Sequence, residues 1–242
     1  MKIASGVFKS GTINENLENM KRQMREAKEN GAEVILFSEC QLCSFCVGEN
    51  VIADRKVAMS ATDDRIKGLC ELAKELELWV GFGFLELKDG GFYDSYAMIE
   101  KKGSIREIYR RVTKTWHKEV RGDMYCEGES VFSLSINGLC VSIMICGDLY
   151  DDILCAMVNS LEADICFIPM ARCMDKKVTQ AIWEKEEKEY IKQMAKLNTN
   201  VLLINQLYEK GDYFGGVSAI CTDGSVESRL PIYTEGIHYL DI

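Results

Sequence analysis

Four features are scarce in this sequence: proline, histidine, long apolar runs and an excess of basic side chains. Only 2 of its 242 residues are proline and 2 are histidine. No stretch approaches the roughly 18 consecutive apolar residues of a membrane-spanning helix. Acidic residues outnumber basic ones by 38 to 29, for a net charge of -9 at pH 7. Nucleic-acid binding depends on a basic surface that displaces counterions from phosphates, so the charge argues against that class of protein.

The domain organisation and the cellular compartment follow from the same composition. The chain has no proline-rich or Gly/Ser-rich linker, no low-complexity tract and no internal repeat, so we expect residues 1–242 to form a single domain. A chain of this length buries a substantial core without disulfides. The 11 cysteines are an odd number, and several lie in apolar segments, which is typical of free thiols in a reducing compartment. We therefore expect a cytoplasmic protein without a signal peptide or membrane association.

Apolar segments alternate with amphipathic ones along the chain. Residues 34–37 form a continuous apolar run that is typical of a buried strand, whereas residues 14–29 and 178–197 show the 3.6-residue period of helices. The pair Asn137-Gly138 predicts a hairpin between two short strands. Strands and helices that interleave in this way predict an α/β protein with layered sheets.

One cysteine stands apart by its position. Cys146 follows an apolar, β-branched run and precedes a Gly-Asp turn, which is where an α/β enzyme displays a nucleophile. Gly147 relieves crowding there, and Asp148 is expected to cap a helix near residues 149–161. The first N–H groups of that helix would favour a thiolate and an oxyanion. The alternative is a thiol that only packs in the core, as we expect for most other cysteines.

A thiol nucleophile needs a base, and the two histidines leave few candidates. Glu39 follows the apolar run at residues 34–37, just as Cys146 follows the apolar run that ends at Ile145. Both side chains are therefore expected at the carboxyl ends of strands, where ligands bind in open α/β sheets. A partly apolar site would raise the pKa of the Glu39 carboxyl toward neutrality, as a general base requires. The alternatives are a Glu39 that only caps the next segment and a Cys146–His117 dyad.

These motifs occur in an order that resembles the carbon–nitrogen hydrolase (nitrilase) superfamily. The strand that ends at Glu39 is similar to the first family motif. Residues 103–114 are similar to the second motif, and residues 143–148 are similar to the third. Residues 163–169 resemble the family's strand after the nucleophile helix, and residues 201–205 and 215–224 resemble its closing motifs. The resemblance covers nearly the whole chain and implies an α/β fold built as a four-layer α-β-β-α sandwich.

The resemblance also implies a Glu, Lys and Cys triad that acts on a small-molecule amide without a cofactor. Cys146 would attack a small linear carboxamide to form a thioester, Glu39 would pass the thiol proton to the leaving amine, and water would release the acid. The backbone N–H of Gly147 and the lysine would stabilise the oxyanion. Nitrile hydrolysis is a narrower branch of the family. Family members often pair through helices beside the active site, so we expect a homodimer.

The family's motif spacing gives two candidate positions for the catalytic lysine. Counted forward from Gly103, the lysine position is occupied by Arg111, whereas counted back from Gly128 it is occupied by Lys114. We assign Lys114, because an arginine stays charged and cannot share a proton, and Lys118 is the second choice. The alternative is that these basic residues are solvated loop charges.

The resemblance assigns two further residues to substrate binding. Family members tend to carry a second glutamate about two turns past the lysine; Arg121 has that spacing here, and Glu119 is the nearest glutamate. Arg172 follows a predicted strand, and its guanidinium would suit a carboxylate-bearing amide. The alternative for Arg172 is an ordinary surface position.

Cys40, Cys43 and Cys46 have the spacing of part of a zinc or iron–sulfur site. The sequence offers no evident fourth ligand and no second Cys-x-x-Cys, so we expect no metal there. Two alternatives to an amidase stay open. One is a catalytically silent protein of the same fold that binds a metabolite or partner, and the other is a metal or redox protein built on these cysteines.

Overall fold

A computed structural model of the protein describes residues 1–118, 124–174 and 177–242. In chain order the elements are β1 (Lys2–Val7), α1 (Ile13–Glu29), β2 (Val34–Leu36), α2 (Val51–Val57), α3 (Asp64–Glu75), β3 (Trp79–Lys88), β4 (Gly91–Ile99), β5 (Ile105–Arg110), β6 (Ser133–Ile136), β7 (Leu139–Ile143), α4 (Asp152–Ser160), β8 (Ile165–Met170), α5 (Gln180–Met194), β9 (Asn200–Asn205), β10 (Leu207–Tyr208), β11 (Tyr213–Phe214), β12 (Val217–Ile220), β13 (Val226–Leu230) and β14 (Gly236–Asp241). Short 3₁₀ turns lie at Lys114–Trp116, Cys146–Tyr150 and Glu209–Gly211.

Twelve of these strands form two six-stranded sheets. The order is β14-β1-β2-β3-β4-β5 in the first sheet and β13-β12-β9-β8-β7-β6 in the second. The centre of each sheet is parallel, β1-β2-β3 in one and β7-β8-β9 in the other, and the outer strands pair antiparallel. Interleaved helices supply the crossovers that parallel neighbours require. This arrangement confirms the α/β prediction.

Alternation along the strands separates two apolar cores. In β1, Ile3 and Val7 pack in a cluster that also contains Ile143 of the second sheet. Ala4 and Phe8 point the other way and pack with residues of α1 and α3. Side chains of α4 and α5 join the first cluster from the second sheet's side. The layers therefore run helix, sheet, sheet, helix, and the predicted four-layer sandwich is confirmed.

The predicted helices form with shifted ends. The helix predicted at residues 14–29 is α1, which begins after a capping box between Thr12 and Glu15. The helix predicted at 178–197 is the shorter α5, which Thr179 caps. The chain also forms α2, a helix of seven residues that the sequence pattern did not indicate. A helix this short has too few periodic positions to give a clear signal.

The Asn137-Gly138 hairpin is confirmed. Both residues have a positive φ, 50° and 94°, as the two-residue turn between β6 and β7 requires. The hairpin sets the register of β7, the strand that leads to Cys146. Within the part of the chain that the structure describes, no helix combines the length and the apolar character needed to cross a membrane.

Candidate active site

Glu39 and Arg111 form a buried ion pair where β2 and β5 end. Nη1 of Arg111 donates to Oε1 of Glu39 over 2.9 Å, and the exposed fractions of the two side chains are 4% and 0%. Arg111 follows β5 directly, so its backbone is still held by the sheet: its N–H donates to the carbonyl of Asp94 in β4 over 2.9 Å. A buried ion pair of this kind depends on further hydrogen bonds to compensate for the lost hydration.

Those further bonds come from the loop that follows β5. Nε of Arg111 donates to Oγ1 of Thr113 over 3.2 Å, and Nη2 donates to Oγ1 of Thr115 over 2.7 Å. Nη1 also lies 3.6 Å from Oδ2 of Asp94. A guanidinium presents its donors in a rigid plane, so these partners fix its orientation as well as its position.

Cys146 lies at the first position of the 3₁₀ turn that follows β7. It is partly exposed, and its φ of 45° is in the left-handed region, which costs a non-glycine residue about 1–3 kcal/mol. Burial, and then the charge of Glu39, raise the pKa of the thiol, while Arg111 and the backbone N–H of Ala171 oppose that rise. The resting side chain is therefore a neutral thiol that lies within the electrostatic reach of both members of the ion pair.

The next residue, Gly147, explains how the guanidinium of Arg111 fits against the turn of Cys146. A Cβ added to Gly147 would overlap Nη2 of Arg111 and would lie 2.8 Å from Oγ1 of Thr115. A residue with a side chain would therefore displace the guanidinium. Glycine is required here for a close approach and not for an unusual backbone angle.

Asp148 has a different role from the one expected. Its buried carboxylate accepts from the hydroxyl of Tyr109 over 2.8 Å and from the backbone N–H groups of Val112 and Thr113 over 3.2 and 2.8 Å. It thereby ties the loop of Arg111 to the turn of Cys146. The expected cap of the next helix is instead Asp151, because the 3₁₀ turn occupies residues 146–150 and delays α4.

The other basic residues considered for the site lie away from Glu39. Lys114 is exposed at the start of its 3₁₀ turn. Lys118 is exposed and pairs with Glu49 over 2.7 Å. Arg111, the position reached by counting from Gly103, makes the contact with Glu39, whereas Lys114, assigned from the sequence to stabilise the oxyanion, is exposed.

The remaining loop residues considered for the site are Glu119, Arg121 and His117. Glu119 and Arg121 lie outside the described residues. The ring of His117 stacks on Tyr125, and its Nε2 lies 3.0 Å from Oε1 of Glu127. That nitrogen therefore faces a carboxylate.

Arg172 lines a cavity of about 740 Å³. Nε of its guanidinium donates to Oε1 of Glu186 over 2.8 Å, and Nη2 lies 2.7 Å from the same oxygen in an ion pair. Tyr150 and Tyr190 share the cavity wall, and burial, followed by smaller contributions that include Cys146, raises the pKa of both phenols. The cavity wall therefore lies within electrostatic reach of Cys146, and Arg172 faces the cavity with a carboxylate partner already in place.

The cysteines near Glu39 do not resemble a ligand set. Cys40 and Cys43 are buried and Cys46 is exposed, and the thiol of Cys40 donates to Oδ1 of Asp94 over 3.5 Å. Across residues 1–118, 124–174 and 177–242, no three His, Cys, Asp or Glu side chains are grouped so that they could hold a metal ion.

Asp94, Thr113 and Thr115 also contact the buried pair, and no sequence motif had indicated them. Asp94 carried a signal, because an acidic residue interrupts the otherwise apolar strand that ends at Ile99. A buried acid in such a strand requires a partner. The two threonines carried no signal, since hydroxyl residues are common in loops.

Comparison with known proteins agrees with the resemblance seen in the motifs. The family model described as "Carbon-nitrogen hydrolase" matches residues 2–242. An N-carbamoylputrescine amidase of Oryza sativa subsp. japonica is 29% identical over 98 residues, which are 40% of this chain and 33% of that protein. The chain thus aligns with only a third of the length of that relative.

Solved structures extend the similarity to the whole chain. An amidase from Nesterenkonia sp. AN1 superposes with a TM-score of 0.82 at 15% identity and covers 100% of this chain and 93% of its own. A carbon–nitrogen hydrolase from Helicobacter pylori G27 superposes with a TM-score of 0.83 at 14% identity, over 99% of this chain and 87% of its own. At such low identity these likenesses establish a shared fold.

Proposed function

The chain belongs to the carbon–nitrogen hydrolase family, and from that premise we propose that it hydrolyses a small linear carboxamide to an acid and ammonia. Cys146 is the nucleophile, Glu39 the general base, and Arg111 the cation that holds Glu39 in place. The observation that carries the proposal is the buried Arg111–Glu39 pair beside a strained, partly exposed cysteine. Backbone strain of this kind concentrates at functional sites.

The first half of the reaction forms a thioester. Glu39 takes the proton from the Cys146 thiol as sulfur attacks the carbonyl carbon, which gives a tetrahedral oxyanion. The backbone N–H of Gly147 and the second N–H on Nη2 of Arg111 stabilise that oxyanion, since Nη2 lies against Gly147. The C–N bond then breaks, and Glu39 passes its proton to the departing nitrogen, so ammonia leaves.

The second half consumes water. The oxygen of a water molecule attacks the thioester carbon while Glu39 takes a proton from that water. Glu39 then returns the proton to sulfur as the C–S bond breaks. Over the whole reaction, one amide and one water are converted to one acid and one ammonia. A raised pKa of the thiol suits this scheme, because the proton moves to Glu39 during the attack and no resting thiolate is needed.

The cavity beside Cys146 supports a carboxamide with a polar acyl chain. It is lined by Tyr150, Tyr190 and the paired Arg172 and Glu186. A carboxylate on the substrate would compete with Glu186 for the guanidinium of Arg172. The amidases among the similar proteins also favour an amide over a nitrile. A homodimer and a cytoplasmic location stay predictions.

The test is ammonia release from a panel of neutral carboxamides, carboxylate-bearing carboxamides and nitriles. We expect release from at least one amide by the wild type, an acyl adduct on Cys146 by intact-protein and peptide mass spectrometry, and neither with Cys146→Ala. Cys70→Ala is the matched control, because Cys70 lies in α3, away from the site. Its activity should equal that of the wild type.

One observation favours a catalytically silent binding protein as the second candidate. Arg111 keeps its proton under all conditions in which a protein is folded, so it cannot share one with Glu39 as a lysine can. If no amide or nitrile is turned over and no adduct forms, while a small amide still binds the wild type, the binding function replaces the hydrolase.

A further inference from the structure

Asp94 is a second buried carboxyl group next to Glu39. It lies in β4 with 1% of its surface exposed. Its Oδ1 accepts from the thiol of Cys40 over 3.5 Å, and its Oδ2 is 3.6 Å from Nη1 of Arg111. That same Nη1 donates to Oε1 of Glu39 over 2.9 Å. One guanidinium nitrogen therefore faces two carboxyl groups.

Each of these carboxyl groups has one oxygen whose bonding is incomplete. Oε2 of Glu39 and Oδ2 of Asp94 are both buried, and neither has a hydrogen-bond donor among the residues that the structure describes. Buried carboxylate oxygens without donors are costly, since nothing replaces the water they have lost. Two carboxyl groups satisfy each other when one of them keeps its proton and donates it to the other.

The balance of charge in the site points the same way. Arg111 is the one cation that the described residues bring to Glu39 and Asp94, and it also lies within electrostatic reach of buried Asp148. Ionising both Glu39 and Asp94 would therefore leave an unpaired negative charge in a buried place. The titratable groups that face Asp94 are Glu39 and Cys40 from the segment after β2, Arg111 from the end of β5, and Cys146 from the end of β7. Among these described groups only Arg111 is a cation.

We propose that Asp94 is a positioning residue: it keeps one proton at neutral pH, donates it to Glu39, and so holds the carboxylate base against Arg111. Burial, and then the negative charge of Glu39, raise the pKa of Asp94 well above its usual range, and Arg111 opposes that rise. Two close carboxyl groups that share one cation are not both ionised readily, so the proton resides on Asp94.

The consequence for turnover rests on the proposed function. While Asp94 is protonated, Glu39 is the only charged acid of the pair and is fixed by a donor on each oxygen. When Asp94 ionises at alkaline pH, the two carboxylates repel each other, and Glu39 moves away from its position. Activity is therefore expected to fall on the alkaline side through the ionisation of Asp94.

Infrared difference spectroscopy tests the shared proton without any turnover. The wild type at pH 7 should show a protonated-carboxyl C=O band that is missing in Asp94→Asn and retained in Asp89→Asn. Asp89 is an exposed acid in the turn between β3 and β4, with 87% of its side chain accessible. Absence of the band from the wild type at pH 7 overturns the proposal whether or not any amide is hydrolysed.

Kinetics test the positioning role. Asparagine imitates a protonated Asp94, because its oxygen accepts from Cys40 and its amide N–H donates to Glu39. Asp94→Asn should recover most of the activity that Asp94→Ala loses, about 100-fold in kcat/KM, and should lack the alkaline fall. An unchanged alkaline fall in Asp94→Asn, or wild-type kcat/KM in Asp94→Ala, overturns it. A wild type that shows the band but hydrolyses nothing supports the shared proton and contradicts only the proposed function.

Discussion

Arg111 donates to Glu39 over 2.9 Å, and both side chains are buried. The pair joins the end of one strand to the end of another and lies beside the turn that carries Cys146. An arginine keeps its charge and presents several donors at fixed angles, so here it serves as a rigid support for the carboxylate. Four predictions follow from the contacts around this pair.

The ion pair should matter for folding as well as for activity. Arg111→Met leaves the buried carboxylate of Glu39 without its cation, so we expect the free energy of unfolding to fall by about 3–5 kcal/mol. Lys114→Met removes an exposed charge and should change it by less than about 0.5 kcal/mol. Urea denaturation followed by circular dichroism measures both. Equal losses in the two variants would contradict the placement of the pair.

The charge of Glu39 should control the reactivity of Cys146. Because that charge raises the pKa of the thiol, Glu39→Gln lowers the pKa, and a larger fraction of Cys146 is thiolate at a given pH. The pH dependence of alkylation by iodoacetamide should therefore shift to lower pH in Glu39→Gln than in the wild type. Peptide mapping over a pH series gives the rates and the apparent pKa of Cys146, with exposed Cys46 as the internal reference. An unchanged or higher apparent pKa of Cys146 in the variant would exclude the electrostatic contact.

The close approach of Arg111 to the turn that carries Cys146 depends on Gly147. Gly147→Ala puts a methyl group where Nη2 of Arg111 lies, so we expect the ion pair to shift and ammonia release to fall by about 100-fold. Gly68→Ala is the control: its new methyl group meets no atom within 4 Å. Gly68 lies inside α3, where alanine should stabilise the protein by about 0.5–1 kcal/mol. Equal activity in the two variants would contradict the packing.

Asp148 should act as an anchor and Asp151 as an ordinary helix cap. Asp148→Asn leaves buried donors from Tyr109, Val112 and Thr113 to share one amide oxygen, which should lower the free energy of unfolding by about 2–3 kcal/mol. Asp151→Asn should change it by only a few tenths of a kcal/mol, since asparagine caps helices about as well as aspartate. Thermal and urea unfolding of both variants make the comparison. A larger loss for Asp151→Asn would reverse the two roles.

Patterns of a few neighbouring residues predicted much of this molecule. The apolar runs before Glu39 and Cys146 are strands, and the Asn137-Gly138 pair forms its hairpin. These features could be predicted because strand burial and turn geometry depend on residues close together in the chain. The order of the motifs predicted the family and, through it, the sandwich fold.

The site was harder to predict where it depends on residues far apart in the chain. Lys114 was assigned by counting back from Gly128, whereas the buried cation beside Glu39 is Arg111, which directly follows β5. Asp148 was expected to cap a helix, but a 3₁₀ turn turns its carboxylate toward the loop after β5. A loop's path is set by what it packs against, which spacing does not encode.

By itself, the sequence determined which residues end the two central strands, and therefore that Glu39 and Cys146 lie at strand ends. It did so because a strand and its end are local properties of hydrophobicity and turn chemistry. Only the tertiary structure decided that Arg111 supplies the cation and that Asp94 joins Glu39 in the buried site. These contacts form between residues that are distant in sequence and are brought together by the packing of the two sheets. A charge buried there needs a partner, and the partner depends on which strand ends lie close together.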